Sequence, residues 1–222
     1  MASSLIWFPV VGFALAGILW GFSASADFIM GGKSPQLAAF IIVTVSIILT
    51  GGLHLDGLAD WADSLGCSPD RDRMLSVMKD SRIGTFGVLA LVVNLLGKWI
   101  VITILSDSGI MIWLVGAYVV SRTIMVDLAV WLPYARSEGG TGAEIVREAQ
   151  TNHRLWSMLS CILILLAVLG ITGIAVFIIG FIIGRLFGYW CNNRIGGITG
   201  DLLGACSEIV ETSLLLIGAV FG

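Results

Sequence analysis

Asp56, Asp60 and Asp63 stand at i, i+4 and i+7 within GGLHLDGLADWADSLGCSPDRDRMLSVMKDSRIGTFG (51–87), a charged island between two long apolar runs. On a helix that spacing projects all three carboxylates from one face, about one turn apart. Like charges stacked in this way repel one another unless a cation sits between them. Oxygen-only ligands favour a hard ion such as Mg²⁺, and Mg²⁺ held by a few carboxylates usually grips a substrate phosphate. His54 lies two residues before Asp56, as a ligand, a general base or a hydrogen-bonded helix-end residue. On a soluble helix the same pattern reads as a solvated acidic face. Between spanning helices ionisable side chains are costly to place and mark function.

The elements around the island are those of a membrane protein. The chain has 222 residues, of which 57% are hydrophobic and 12% charged, with a mean hydropathy of +0.98. This composition excludes an ordinary soluble domain. Apolar runs long enough to span occur near 5–26, 36–53, 83–105, 109–132, 155–190 and 203–221. The run 155–190 is too long for one helix, and Gly170 and Gly173 divide it into a hairpin. The expected fold is therefore all-α, a polytopic bundle of about seven transmembrane helices, with six as the alternative, forming one domain over 1–222. The first span lacks a basic leader and carries Pro9, so it does not read as a cleavable signal. The glycine content, 28 residues, suits helices that pack closely in lipid.

With seven spans and an inside start, segments 54–82, 133–154 and 191–201 share one side and hold Arg71, Arg73, Lys79, Arg82, Arg136, Arg147, Arg154 and Arg194. The other side holds only Lys33. The positive-inside rule then turns the three polar segments to the cytoplasm, where they can build one site. Segment 133–154 contains Pro133, Tyr134, Arg136 and Glu138-Gly139-Gly140-Thr141-Gly142; segment 191–201 contains Asn192-Asn193-Arg194 and Gly196-Gly197-Ile198-Thr199-Gly200-Asp201. Each pairs an arginine with a glycine-rich turn, able to bind phosphate oxygens through the guanidinium and backbone N–H groups. Each turn also reads as a plain helix cap.

Lys98, Arg122, Asp127, Glu208 and Glu211 lie inside apolar spans, either neutralising one another or, for the two glutamates, orienting a metal or substrate from a turn or two below Asp201. Cys67, Cys161, Cys191 and Cys206 form no CxxC pair and read as small apolar fillers. His153 carries no motif.

GGLHLDGLADWADSLG, then MKDSRIGTFGVLAL, then PYAR with its glycine-rich continuation, then GGITGDLLGACSEIVE resembles the cobalamin synthase family, the adenosylcobinamide-GDP ribazoletransferases, in order and over nearly the whole chain. The resemblance implies a Mg²⁺-dependent enzyme of the inner or plasma membrane. Such an enzyme joins adenosylcobinamide-GDP to α-ribazole or α-ribazole 5′-phosphate, releasing GMP in the last step of vitamin B12 assembly. On that reading Asp56, Asp60, Asp63 and Asp80 hold one or two Mg²⁺ ions on the diphosphate. Lys79, Arg82, Arg136 and Arg194 neutralise its oxygens and the departing GMP, while Gly139, Gly140, Asn193, Gly197 and Thr199 contact substrate. His54 or an aspartate takes the hydroxyl proton. The implied partners are the two substrates and membrane lipid, with no nucleic acid; self-association and contact with other B12-assembly enzymes are left open.

Two departures stand out. The family usually reads His-Glu-Asp-Gly, whereas position 55 here is Leu, removing a carboxylate from the expected metal region. The chain also begins close to the family's Phe-Pro-x-Val-Gly segment, here Phe8-Pro9-Val10-Val11-Gly12, and is expected to lack the stretch before it. A CDP-alcohol phosphotransferase continues Asp-Gly-x-x-Ala-Arg, where positions 60 and 61 here are Asp and Trp. A transporter would place polar groups at mid-membrane on broken helices. An inactive scaffold relative is the reading that Leu55 keeps open.

Overall fold

The structure, a computed structural model, describes residues 2–29, 31, 34–67, 70–137, 139–140 and 142–222. Lys33, Glu138 and Thr141 lie outside the described residues. After a 3-10 turn, Ala2–Trp7, the chain forms α1 (Phe8–Ile29), α2 (Pro35–Thr50), α3 (Leu53–Leu65), α4 (Arg71–Val77) and α5 (Thr85–Asp107). It continues through α6 (Ile112–Trp131), α7 (Ala143–Glu148), α8 (Thr151–Leu169), α9 (Thr172–Ile195) and α10 (Gly200–Phe221). The all-α expectation holds: among the described residues the only β pairing is an isolated parallel bridge between Tyr134 and Ile198.

Six helices are long and apolar enough to cross a membrane, and the bent pair α2–α3 raises the count to as many as seven. The chain is thus a multi-pass membrane protein. The run 155–190 is a hairpin whose break falls at Gly170, at φ +60°, between α8 and α9.

The α2–α3 break is where the fold begins to build a site. Gly51 and Gly52 adopt φ of +61° and +70°, a left-handed pair that costs side-chain-bearing residues strain. Two such residues in succession stop α2 and turn α3 away from it by 90°. Instead of continuing through the bundle, α3 lies across the ends of its neighbours. Gly57 packs so closely on the Asp201 backbone at the start of α10 that a Cβ would overlap it, and Gly87 at the start of α5 packs on Ala59 and Asp63 in the same way. A Cβ on Gly204, one turn along α10, would meet the His54 backbone at 3.0 Å.

At the centre, α6 is buried along nearly its whole length and α10 along most of it. The outer helices turn apolar side chains such as Val93, Ile100, Leu163 and Ile182 outward, the pattern of a lipid-facing surface. Where α5, α6 and α10 meet, Lys98 binds Glu208 at 2.7 Å and also Glu211, and Arg122 binds Glu211 at 3.2 Å and the Ser207 hydroxyl. Asn94 donates to Glu208 at 2.8 Å and accepts from Thr212 at 2.7 Å. Two cations thus face two anions, the mutual neutralisation open to these residues from sequence. Asp127 is matched in its turn by Arg185 at 2.9 Å.

Candidate active site

The polar segments converge at one end of the bundle. Within the island, Asp56 and Asp60 line a cavity of about 550 Å³ together with Lys79, Asp80 and Arg82. Among the described residues neither the Asp56 nor the Asp60 carboxylate has a hydrogen-bond or ion-pair partner. Asp60 lies on the transverse α3, outside the six single helices long and apolar enough to span. Its half-buried carboxyl is pushed up to about 7, by burial first and then by the charges of Asp56 and Asp201. Across the cavity Asp80 accepts from the Arg82 guanidinium at 2.7 and 3.0 Å, and these bonds pull its carboxyl down to about 2.

Asp63 has a different task. Its two oxygens accept from the Gly84 N–H at 2.7 Å and the Gly87 N–H at 2.8 Å, so it caps the start of α5 from 21 residues upstream. The expected triad therefore divides, with two open carboxylates in the cavity and one committed to a helix end. Among the described residues no three acidic, histidine or cysteine side chains are grouped closely enough to enclose a metal.

His54 does not line this cavity. It faces another, of about 280 Å³, with Phe8, Thr50 and Arg122, and its Nδ1 is buried without a partner among the described residues. Leu55 also points away from Asp56: it lines the small cavity bounded by Lys98, Arg122, Glu208 and Glu211. A side chain at 55 thus meets the buried ion network.

The two glycine-rich turns do meet. Ala135 N–H donates to Ile198 O and Ile198 N–H to Pro133 O, both at 2.9 Å. Gly197 passes so close to the Pro133 carbonyl that a Cβ would collide with it. Gly140 lies against the Tyr134 hydroxyl and Gly142 against Gly200, while Gly139 turns at φ +85°. Thr199 is buried, its hydroxyl capping α10 by accepting from Leu202 N–H at 3.3 Å. It therefore shapes the loop rather than facing open space.

Arg136 donates to Asp201 at 2.7 Å and lines a second basin next to the first. Arg194 stands apart, exposed, beside Ser64, Cys67 and Trp190 in a third cavity, and Asn193 is exposed. Spacing and motif assign no site contact to Asp201 or Arg71. Asp201 bonds Arg136 and adds to the acidity around Asp60. Arg71 donates to Ile195 O and Ala135 O, both at 2.7 Å, tying α4 to both loops. The close packing of Gly57 on Asp201 has a sequence signal, a glycine between two aspartates of a short amphipathic helix; the reach of Arg71 over 124 residues has none.

Fold and site together define a polytopic helical membrane protein with a charged centre where the ends of its spans meet. The chain belongs to the cobalamin-5-phosphate synthase family, whose profile matches residues 1–219. Proteins of Chlorobaculum parvum and Chlorobaculum tepidum, each named adenosylcobinamide-GDP ribazoletransferase, are 41% and 40% identical to it over 99% of this chain and 87% of their own. One of that name from Pseudomonas syringae pv. syringae is 35% identical over 97% of this chain and 87% of its own. No solved structure matches the chain.

Proposed function

We propose that the chain is an adenosylcobinamide-GDP ribazoletransferase, a Mg²⁺-dependent enzyme that joins adenosylcobinamide-GDP to α-ribazole or its 5′-phosphate and releases GMP. The observation that carries the reading is the pair of uncompensated carboxylates, Asp56 and Asp60, facing a cavity rimmed by Lys79 and Arg82. Family membership supplies the substrates.

The donor set fits Mg²⁺. It is oxygen-only, it is open on the cavity side, and two carboxylates completed by substrate phosphate oxygens are the usual way that ion is held. Asp56 and Asp60 would hold it, and when bound it would polarise the phosphoryl oxygens and offset charge in the transition state. The rest falls to the chain. Lys79 and Arg82 neutralise phosphate oxygens at the cavity, and Arg136 does so from the adjoining basin. Asp80, kept ionised, fixes the direction of Arg82. A ribazole hydroxyl oxygen forms a bond to the phosphorus carrying the cobinamide arm, the bridging P–O bond to guanylate breaks, and an aspartate oxygen of the cavity accepts the hydroxyl proton. Positioning in line is the main contribution of such a site.

The clustering of arginine and lysine at this end supports an orientation toward the cytoplasm, in the inner or plasma membrane. Impermeant thiol labelling in intact cells should leave Asp70→Cys unmodified and mark Ser108→Cys; the reverse pattern contradicts the orientation. For the activity, purified protein supplied with adenosylcobinamide-GDP and α-ribazole should yield GMP and a cobalamin in equal amounts with Mg²⁺, and neither with chelator. Release without joining, or no release, refutes the reading.

A further inference from the structure

The basin beside the carboxylate cavity has its own chemistry. It encloses about 340 Å³ between Arg71, Asp72, Leu75 and Lys79 on one side and Arg136 and Ser137 on the other, three cations to one carboxylate. Lys79 lines both spaces, so the two adjoin at its side chain. We propose that this basin is a nucleoside monophosphate subsite, which receives the guanylate end of the substrate while the carboxylate cavity takes the cation and the diphosphate bridge. The inference rests on the function proposed above and divides that site into two parts.

Three observations carry it. First, Arg71 is held by neutral groups. Its Nε and Nη2 donate to the Ile195 and Ala135 carbonyls, which fix the guanidinium plane without cancelling its charge. Among the described residues its only acidic contact is Asp72 at 3.3 Å, a side chain 87% exposed, and such a pair is weak in water. Second, Arg136 lines the same basin, its Nη2 bonded to Asp201 and its Nε buried without a partner among the described residues, so a second guanidinium stands near that of Arg71. Third, size discriminates between the two ends of the substrate. The volume is at the lower end of the roughly 300–1,000 Å³ common for small-molecule sites, enough for a nucleotide and far too small for a corrin ring with its amide arms. Leu75 offers the base an apolar wall. The departing guanylate gains negative charge as the bridging bond breaks, which this cationic basin accommodates better than the carboxylate cavity next to it.

The test is equilibrium binding of radiolabelled GMP to the full chain in detergent without Mg²⁺, alongside turnover. Ser137→Asp puts a like charge at the exposed rim, and Leu75→Trp fills the space. Both should weaken GMP binding by about tenfold or more, with native helical circular dichroism and an unchanged half-saturating Mg²⁺ concentration for turnover. Unlabelled GMP should displace the label far better than inorganic phosphate or α-ribazole does. The inference is overturned if native protein does not bind GMP, if both variants bind it as tightly as native, or if phosphate or α-ribazole competes equally well. Native protein that binds GMP yet releases none from adenosylcobinamide-GDP overturns the proposed function instead.

Discussion

Helix α10 presents acidic side chains to two very different surroundings. At its start, Asp201 joins Asp56 and Asp60 on the open side of the bundle; two and three turns further on, Glu208 and Glu211 are enclosed with Lys98 and Arg122. In the buried cluster each carboxylate has a cation and further hydrogen bonds, as is required where water is absent. In the open cluster Asp201 is paired, while Asp56 and Asp60 are left facing space. The difference separates charges that hold helices together from charges available to a ligand. Burial and charge balance make that distinction; residue type does not.

The comparison breaks first at the open cluster. Asp56→Asn or Asp60→Asn should reduce GMP release by several kcal/mol of lost transition-state stabilisation, on the scale of a Lewis-acid contribution, with helical content unchanged. Asp70→Asn, at the residue that caps α4, should change it far less. Equal behaviour of all three would erase the distinction.

The buried cluster should fail differently. Glu211→Gln leaves Lys98 and Arg122 with one anion fewer in an enclosed site, a change that costs about 3–5 kcal/mol. A lower thermal unfolding midpoint in detergent would register it, and whatever protein stays folded should keep its native Mg²⁺ requirement.

Much of this could be read from the sequence, and what could not depended on contacts distant along the chain. The spans were legible because lipid imposes apolar runs of fixed length, and the hairpin at Gly170 because one helix cannot be that long. Asp56, Asp60, Lys79, Arg82 and Arg136, singled out by residue type and spacing, come together around two adjoining cavities. Periodicity put Asp63 on the same face as the other two, but the start of α5 arrives beside it and claims both oxygens. Arg194 looked equivalent to Arg136, yet the Tyr134–Ile198 bridge sends the two arginines to different cavities. His54 and Leu55 precede Asp56 directly and, on a helix, project to other faces, which here look onto Arg122 and the buried network.

Position 55 therefore sharpens the comparison. Leu55→Glu adds a third carboxylate to two cations and two anions in a confined space. It should destabilise the fold by about 1–3 kcal/mol, the cost of a buried polar group without a full set of partners, and leave the half-saturating Mg²⁺ concentration unchanged. A lower Mg²⁺ requirement would instead return position 55 to the metal region. The smallest effect belongs to Asp63→Ala, which removes the cap of α5 and should cost about 1 kcal/mol of stability with Mg²⁺ binding retained.

In the proposed function the unpaired carboxylates of α3 hold the cation. Mg²⁺ binding to the native chain, to Asp56→Asn and to Glu208→Gln, followed by calorimetry at about one pH unit either side of neutrality, tests it most directly. Asp60 has its proton affinity raised from 3.8 to about 7 in the folded chain, so it retains a proton up to that pH. The fold is accordingly favoured by this group at low pH, and loses that advantage as pH rises from about 4 to about 7. Mg²⁺ must displace the proton below about 7, so affinity should fall by up to about tenfold per pH unit there and level off above. The native chain and Glu208→Gln should both show this pH dependence, with binding lost in Asp56→Asn. Native affinity in Asp56→Asn, or loss of binding in Glu208→Gln alone, would contradict it.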